Sequence, residues 1–196
     1  MTRQTNAAVL VAAVLFLFLA PPARADDTIK RPGDHPDYGV EIEPHGVLGW
    51  WGGPGYTGDG WGAGVRFSIP VVKNGFIHNI NNSVAITFGG DILFYNYCWW
   101  ANNGGCSATY LDFPVAMQWN FFVAQRWSVF GEVGLYVYHG FFDSCPGNFN
   151  NCPGRPQDTG VYPALFVGGR YHFSDKVSLT MRLGFPTASI GASFFL

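Results

Sequence analysis

The sequence predicts an all-β fold in which eight antiparallel strands, running up and down in chain order, close into a transmembrane β-barrel. Three observations carry that expectation. Apolar and polar residues alternate at every second position through segment after segment, as side chains do on the two faces of a strand. The polar face is built mostly from small uncharged residues. Only 12% of the 196 residues are charged, while 17% are aromatic and 26 are glycine. An ordinary soluble domain carries about 25% charge, so the deficit is one of solvated surface. The formal net charge of −2 offers no electrostatic footprint for nucleic acid.

The first 25 residues read as a cleaved secretory signal peptide, with Arg3 as the positive region, Ala7 to Ala20 as the apolar core and Ala23-Arg24-Ala25 as a small-x-small cleavage site. That apolar run falls short of the roughly 20 residues a membrane-spanning helix needs. Residues 26–37 are charged and contain prolines, and read as an irregular lead-in; residues 38–196 read as the barrel.

The alternation can be followed strand by strand. The first segment sets Val40, Ile42, Leu48 and Trp50 against Glu41, Glu43 and His45, and the second sets Trp61, Ala63, Val65, Phe67 and Ile69 against Gly62, Gly64, Arg66 and Ser68. A polar connection, Lys73 to Asn82, precedes the third, with Val84, Ile86, Phe88, Ile92 and Phe94 opposite Thr87, Gly89 and Asp91. The fourth and fifth form the clearest ribbon of the chain, Thr109 to His139. Leu111, Phe113, Val115, Met117, Trp119 and Phe121 lie opposite Asp112, Pro114, Ala116, Gln118 and Asn120. After the corner at Ala124-Gln125-Arg126, Trp127, Val129, Val133, Leu135 and Val137 lie opposite Ser128, Glu132 and Gly134. Segment six puts Val161, Leu165, Val167 and Tyr171 against Ala164, Gly168, Arg170 and His172. Beyond the turn Ser174-Asp175-Lys176, segment seven sets Val177, Leu179, Met181, Leu183 and Phe185 against Ser178, Thr180, Arg182 and Gly184. Segment eight sets Ile190, Ala192, Phe194 and Leu196 against Ser189, Gly191 and Ser193.

The two faces decide the environment. A soluble lipocalin-like barrel would wet its polar face and crowd it with Lys, Glu, Asp and Arg, whereas here that face is a tight lining with about one charge per strand. The apolar face carries no charge, and Trp50, Trp61, Trp119, Phe121, Trp127 and Phe185 lie near strand ends, where aromatic girdles meet the membrane interface. Segments of about ten residues suit a tilted strand crossing a bilayer, and closure is required because an open edge in hydrocarbon leaves backbone groups unpaired. With the N-terminus in the periplasm, the long connections face outward and the tight ones inward, save for a long Lys73–Asn82 and a short Phe185–Ala188.

On these residues the chain resembles the small eight-stranded outer-membrane β-barrel proteins, of the OmpA transmembrane-domain and OmpX type. The resemblance implies a bacterial outer-membrane location and a porin-like architecture. Ser189-Ile190-Gly191-Ala192-Ser193-Phe194-Phe195-Leu196 looks like the C-terminal strand that the barrel-assembly machinery reads, although that family usually ends in Phe and Phe195 here has the opposite parity.

Four sets of residues are candidates for more than framework. By parity Glu41, Glu43, Arg66, Asp91, Asp112, Glu132, Arg170 and Arg182 point inward with His45 and His172. Buried charges must be paired, so Asp112 and Glu132 are expected to find Arg66, Arg170 or Arg182. Cys98 with Cys106 and Cys145 with Cys152 each bracket a Gly/Asn-rich segment of an exported chain, which favours two local disulfides. No histidine lies in either segment, so a zinc site is not expected. Trp99, Trp100, Phe141, Phe142 and Phe149 beside those loops suit recognition of an extracellular ligand. His172-Phe173-Ser174 resembles the His-x-Ser element of the outer-membrane lipid A deacylases, which implies Ser174 as nucleophile and His172 as base. The acidic residue of that family stands about a dozen positions on, where this chain has Pro186, so nothing orients the base. His35 and His139 read as isolated surface residues.

The resulting expectation is a monomeric, non-catalytic outer-membrane barrel with a filled polar lumen, without cofactor or metal, in contact with membrane lipid and serving a structural or surface-interaction role. The rival readings are a narrow channel for ions or small solutes, a lipid A-modifying hydrolase and a soluble binding barrel.

Overall fold

A computed structural model describes residues 27–50, 60–95, 108–142 and 157–196. The signal-peptide segment, the four cysteines, Trp99, Trp100 and Phe149 lie outside the described residues. Eight strands form one closed antiparallel barrel in chain order. They are β1 Glu41–Gly49, β2 Gly60–Val72, β3 Asn82–Tyr95, β4 Ala108–Ala124, β5 Trp127–Phe142, β6 Gln157–Ser174, β7 Val177–Phe185 and β8 Thr187–Phe195. β1 and β8 pair from Glu41↔Phe195 to Gly49↔Thr187, with Glu43 and Pro44 skipped, so the sheet closes on itself at the seam.

The connections separate two ends. One, the loop end, carries the joins after β1, β3, β5 and β7. The other, the turn end, carries Gln125–Arg126 and Asp175–Lys176, together with the β2–β3 join. At the loop end, β7 and β8 are joined through Pro186 alone, the Phe185–Pro186 peptide being cis. This accounts for the short connection seen in the sequence.

Outward positions follow the predicted parity, and no Asp, Glu, Lys or Arg occupies one on any of the eight strands. Large apolar side chains there are bare: Trp61 is 59% exposed, Val133 55%, Leu165 64%, Leu183 55% and Ile190 52%. A soluble protein does not present a continuous apolar belt of this kind to water.

At the turn end of β3, two outward positions depart from the pattern. Val84 is buried at 2%, and Asn82 beneath it is polar. The β2–β3 connection explains both, because it folds back over the outer wall instead of turning tightly. Asn82 donates from Nδ2 to the carbonyls of Ile77 and Ile80 and accepts from Trp119 Nε1 at 2.9 Å, while Phe76 packs edge-on against Trp119. A further irregularity lies in the β3–β4 ladder, which passes from Phe88↔Val115 to Asp91↔Asp112 without pairing Gly89 and Gly90 to Pro114 and Phe113. Proline has no N–H to contribute there.

The inner face is full. Arg170, Tyr136, Leu93, Gln118, Glu41, Glu43 and Glu132 are among the largest completely buried side chains. Space for them comes from glycine at inward positions: a methyl group on Gly168 would collide with the Phe130 ring, and one on Gly64 with the Asp91 carboxylate. Gly169, the next residue, faces the other way, and a methyl group there meets nothing closer than Ser128 O at 3.8 Å. Gly168→Ala is therefore expected to destabilise the barrel by about 1–3 kcal/mol through overpacking. Gly169→Ala should leave the urea unfolding midpoint in detergent unchanged.

Candidate functional site

Among the described residues polar chemistry is concentrated in the lumen, where the side chains form three layers. The middle layer is ionic. Arg182 on β7 donates from Nη1 to Glu43 Oε1 at 2.7 Å and from Nη2 to Glu43 Oε2 at 3.0 Å, a bidentate pair reaching β1. Its Nε lies 3.1 Å from the Glu132 carboxylate on β5. Glu132 also receives Arg66 Nη1 from β2 at 3.2 Å and Gln118 Nε2 from β4 at 2.6 Å. Arg66 Nη2 donates to the Tyr136 hydroxyl at 2.8 Å and lies 3.7 Å from Asp91, whose other oxygen meets His45 Nε2 at 2.9 Å. Arg170 on β6 reaches Glu41 at 2.9 Å, Asn120 at 2.6 Å and Gln118 at 3.0 Å. The Phe130 ring lies between two guanidinium groups, 4.6 Å from Arg170 and 5.1 Å from Arg182. Planar guanidinium stacking of this kind offsets part of the cost of burial.

Toward the loop end the lining turns aromatic. Tyr95, Tyr110, Tyr136, Tyr138 and Tyr162 are all buried, and neighbouring rings lie 5.4–6.1 Å apart between centroids. Asp112 belongs to this layer. It accepts from the Tyr162 hydroxyl at 3.0 Å and lies opposite Asp91 in the ladder. Among the described residues no arginine pairs with it, which corrects the expectation that Asp112 would find one. The arginines stand lower in the lumen, and the tyrosine takes their place.

Toward the turn end, His172 Nε2 and the Ser128 hydroxyl are 3.0 Å apart, and the His172 ring stacks on Phe195 at 5.6 Å. Ser174 is exposed and its hydroxyl accepts from the Lys176 N–H instead. The proposed nucleophile and base are thus not in contact. Phe195, of the wrong parity for the outer face, is buried at 5% inside this end.

The lead-in before β1 runs across the same mouth. A 3-10 turn at Asp27–Lys30 is followed by a bend at Gly33, whose φ of +82° is open to glycine without strain. Asn81 holds the segment on one side: its N–H donates to Ile29 O at 2.8 Å, its Nδ2 to Asp34 O at 2.7 Å, and its carbonyl accepts from Phe122 N–H at 3.0 Å. His35 is not an isolated surface residue. Its ring stacks on Phe122 at 4.6 Å, and its Nε2 is 3.0 Å from Lys73 O. Lys73 in turn donates to Asp37 at 2.8 Å, and that bond and charge hold the Asp37 carboxyl below its ordinary value. His139, also read as isolated, contacts the Thr159 hydroxyl and packs edge-on against Phe141. Phe141 is 41% exposed at the loop end, where β5 finishes at Phe142.

Among solved structures the chain is similar to the outer membrane protein OprG from Pseudomonas aeruginosa. The two share 10% identity over 85% of this chain and 99% of that one, with a TM-score of 0.54. The fold is that of the small eight-stranded outer-membrane barrels. Ail, the attachment invasion locus protein of Yersinia pestis, in complex with the heparin analogue sucrose octasulfate, matches at 11% identity over 80% of this chain and 96% of that one, with a TM-score of 0.49. No protein-family model and no curated protein matches the sequence.

Within this barrel the layers differ in what a substitution should cost. Glu132 serves Arg66, Arg182 and Gln118 at once, so Glu132→Leu leaves buried guanidinium groups short of a counter-charge and should cost about 3–5 kcal/mol. Asp112→Asn keeps an acceptor for Tyr162 and uncovers no arginine, and should cost less than about 1 kcal/mol. Urea unfolding of the two variants, reconstituted alike, checks both values.

Proposed function

We propose that the protein is an integral outer-membrane β-barrel with a closed lumen, which acts as a structural or surface-interaction protein without catalysis. The observation that carries this reading is the charge-free apolar belt around a sheet with no open seam. Such a belt is stable in hydrocarbon, where every backbone polar group must be paired within the sheet. Residues 1–25 serve as the cleaved export signal and 26–37 as the lead-in, and the turn end faces the periplasm. β8 offers the assembly machinery its alternating terminal strand. The Cys98–Cys106 and Cys145–Cys152 pairs staple the external loops, and Trp99, Trp100, Phe141, Phe142 and Phe149, in or beside those loops, await an extracellular ligand. The barrel works as a monomer in contact with outer-membrane lipid.

Against a channel stands the ionic layer: Arg170, Arg182, Glu41, Glu43 and Glu132 are each no more than 3% exposed and hold one another across the lumen. Ions would have to break several such pairs to pass. Against a lipid A hydrolase stands the separation of His172 from Ser174, with His172 engaged by Ser128.

The expected result is recovery in the outer-membrane fraction, with faster gel migration before heating than after. Reconstitution into planar bilayers should give no conductance above background. Recovery in the soluble periplasmic fraction would contradict the membrane reading, and stepwise conductance would favour the channel.

A further inference from the structure

We propose that residues 27–37 form a separable strap that seals the turn end of the lumen, and that lifting the strap opens a small lower chamber around Ser128 and His172 while the ionic layer above stays closed.

The strap is bounded by its bonding. Gly39 and Val40 donate to Leu196 O at 2.7 and 3.2 Å, and Leu196 N–H returns a bond to Val40 O, so the chain is locked to the end of β8 from Gly39 onward. Before that point the strap adds no strand to the sheet. It is held by the Asn81 clasp, by the His35 ring on Phe122, by the His35 contact with Lys73 O, and by the exposed Asp37–Lys73 pair. A segment held by one backbone bond, Asn81 N–H to Ile29 O, and a few side-chain contacts opens at far lower free energy than ladder-bonded strands.

The strap crosses the mouth from one wall to the other. Asn81 and Phe122 belong to the β3–β4 side, and the strap ends beside β1 and β8, where the Tyr38 ring meets Phe195 edge-on at 4.8 Å. Directly inside lie the inward rings of Phe122 and Phe195, with His172 between them at 6.5 and 5.6 Å. Ser128 Oγ, the Asn120 amide and Ser83 Oγ line the same depth. The side chains at this depth are polar and ringed by aromatics, so lifting the strap would let water or a small polar solute reach them from the turn end. The roof over them is the Arg170 group, bonded to Glu41, Gln118 and Asn120. That roof depends on strands in the ladder, not on the strap, so the two closures are independent. The inference does not depend on which side of a membrane the turn end faces and can be tested on the barrel folded in detergent.

The five histidines of the chain provide the test through diethyl pyrocarbonate, which acylates imidazoles it can reach, read out at each site by mass spectrometry. In the full chain exposed His78 should react rapidly, while His172 and His45 stay protected. In a variant carrying His35→Ala, Asp37→Ala and Asn81→Ala, the His172 rate should rise about ten-fold or more, with His45 unchanged. A variant deleting residues 27–36 should give His172 at least that reactivity. Gel mobility before and after heating verifies that each variant is folded. A His172 that stays as slow as His45 in both variants would overturn the seal. A rise in the deletion alone would overturn the assignment of the tethers. His45 and His172 rising together would overturn the independence of the two closures, and a His172 already as fast as His78 in the full chain would overturn the strap.

Discussion

Arg182 reaches from β7 to Glu43 on β1 and to Glu132 on β5, and Glu132 is shared with Arg66 on β2. Four of the eight strands are therefore tied through one set of charges at the centre of the lumen. An eight-stranded barrel leaves an interior just wide enough for side chains, so these groups are solvated by one another and by the polar side chains around them. A guanidinium buried without a carboxylate would cost several kcal/mol, and the remaining lining is arranged to prevent this. Gln118 and Asn120 take up some of the donors and acceptors the charges leave over, the Phe130 ring lies against both Arg170 and Arg182, and Gly168 and Gly64 make room for bulky neighbours.

The exterior follows from the same partition. With the charges gathered inside, no outward strand position carries one, and the apolar side chains are left bare in a continuous belt. Lipid suits such a surface and water does not. The β2–β3 connection extends the belt's lower margin by laying Phe76 beside Trp119 on the outer wall. The proposed surface role rests on this filled centre and apolar belt.

Much of this was legible in the sequence, because strand parity is a period of two and a barrel has only two faces. The eight strands, and the inward direction of Glu41, Glu43, Arg66, Asp91, Asp112, Glu132, Arg170 and Arg182, could be read from alternation. Which charges meet could not, since partners such as Arg170 and Glu41 are 129 positions apart and their pairing depends on the stagger of the closed sheet. Asp112 illustrates the limit: its parity is inward as expected, yet its height in the barrel puts it beside Tyr162 and above the arginines. The inward tyrosines were hidden because Tyr136 and Tyr138 interrupt a face that otherwise reads as small and polar. Phe195, out of register for the lipid face, proves to be a stopper for the lumen. The lead-in carried no periodicity, so nothing in its pattern announced that His35 and Asn81 would fasten it over the mouth.

Paired charges across the lumen hold the barrel together. A double-mutant cycle on Arg182 and Glu43, with each residue replaced by leucine singly and then together and followed by urea unfolding in a defined bilayer, tests it most directly. The pair should show a coupling of about 2 kcal/mol, the double variant losing much less than the two single losses combined. Losses that add to within about 0.5 kcal/mol would mean that the two charges stand near each other without supporting the fold, and would contradict the account.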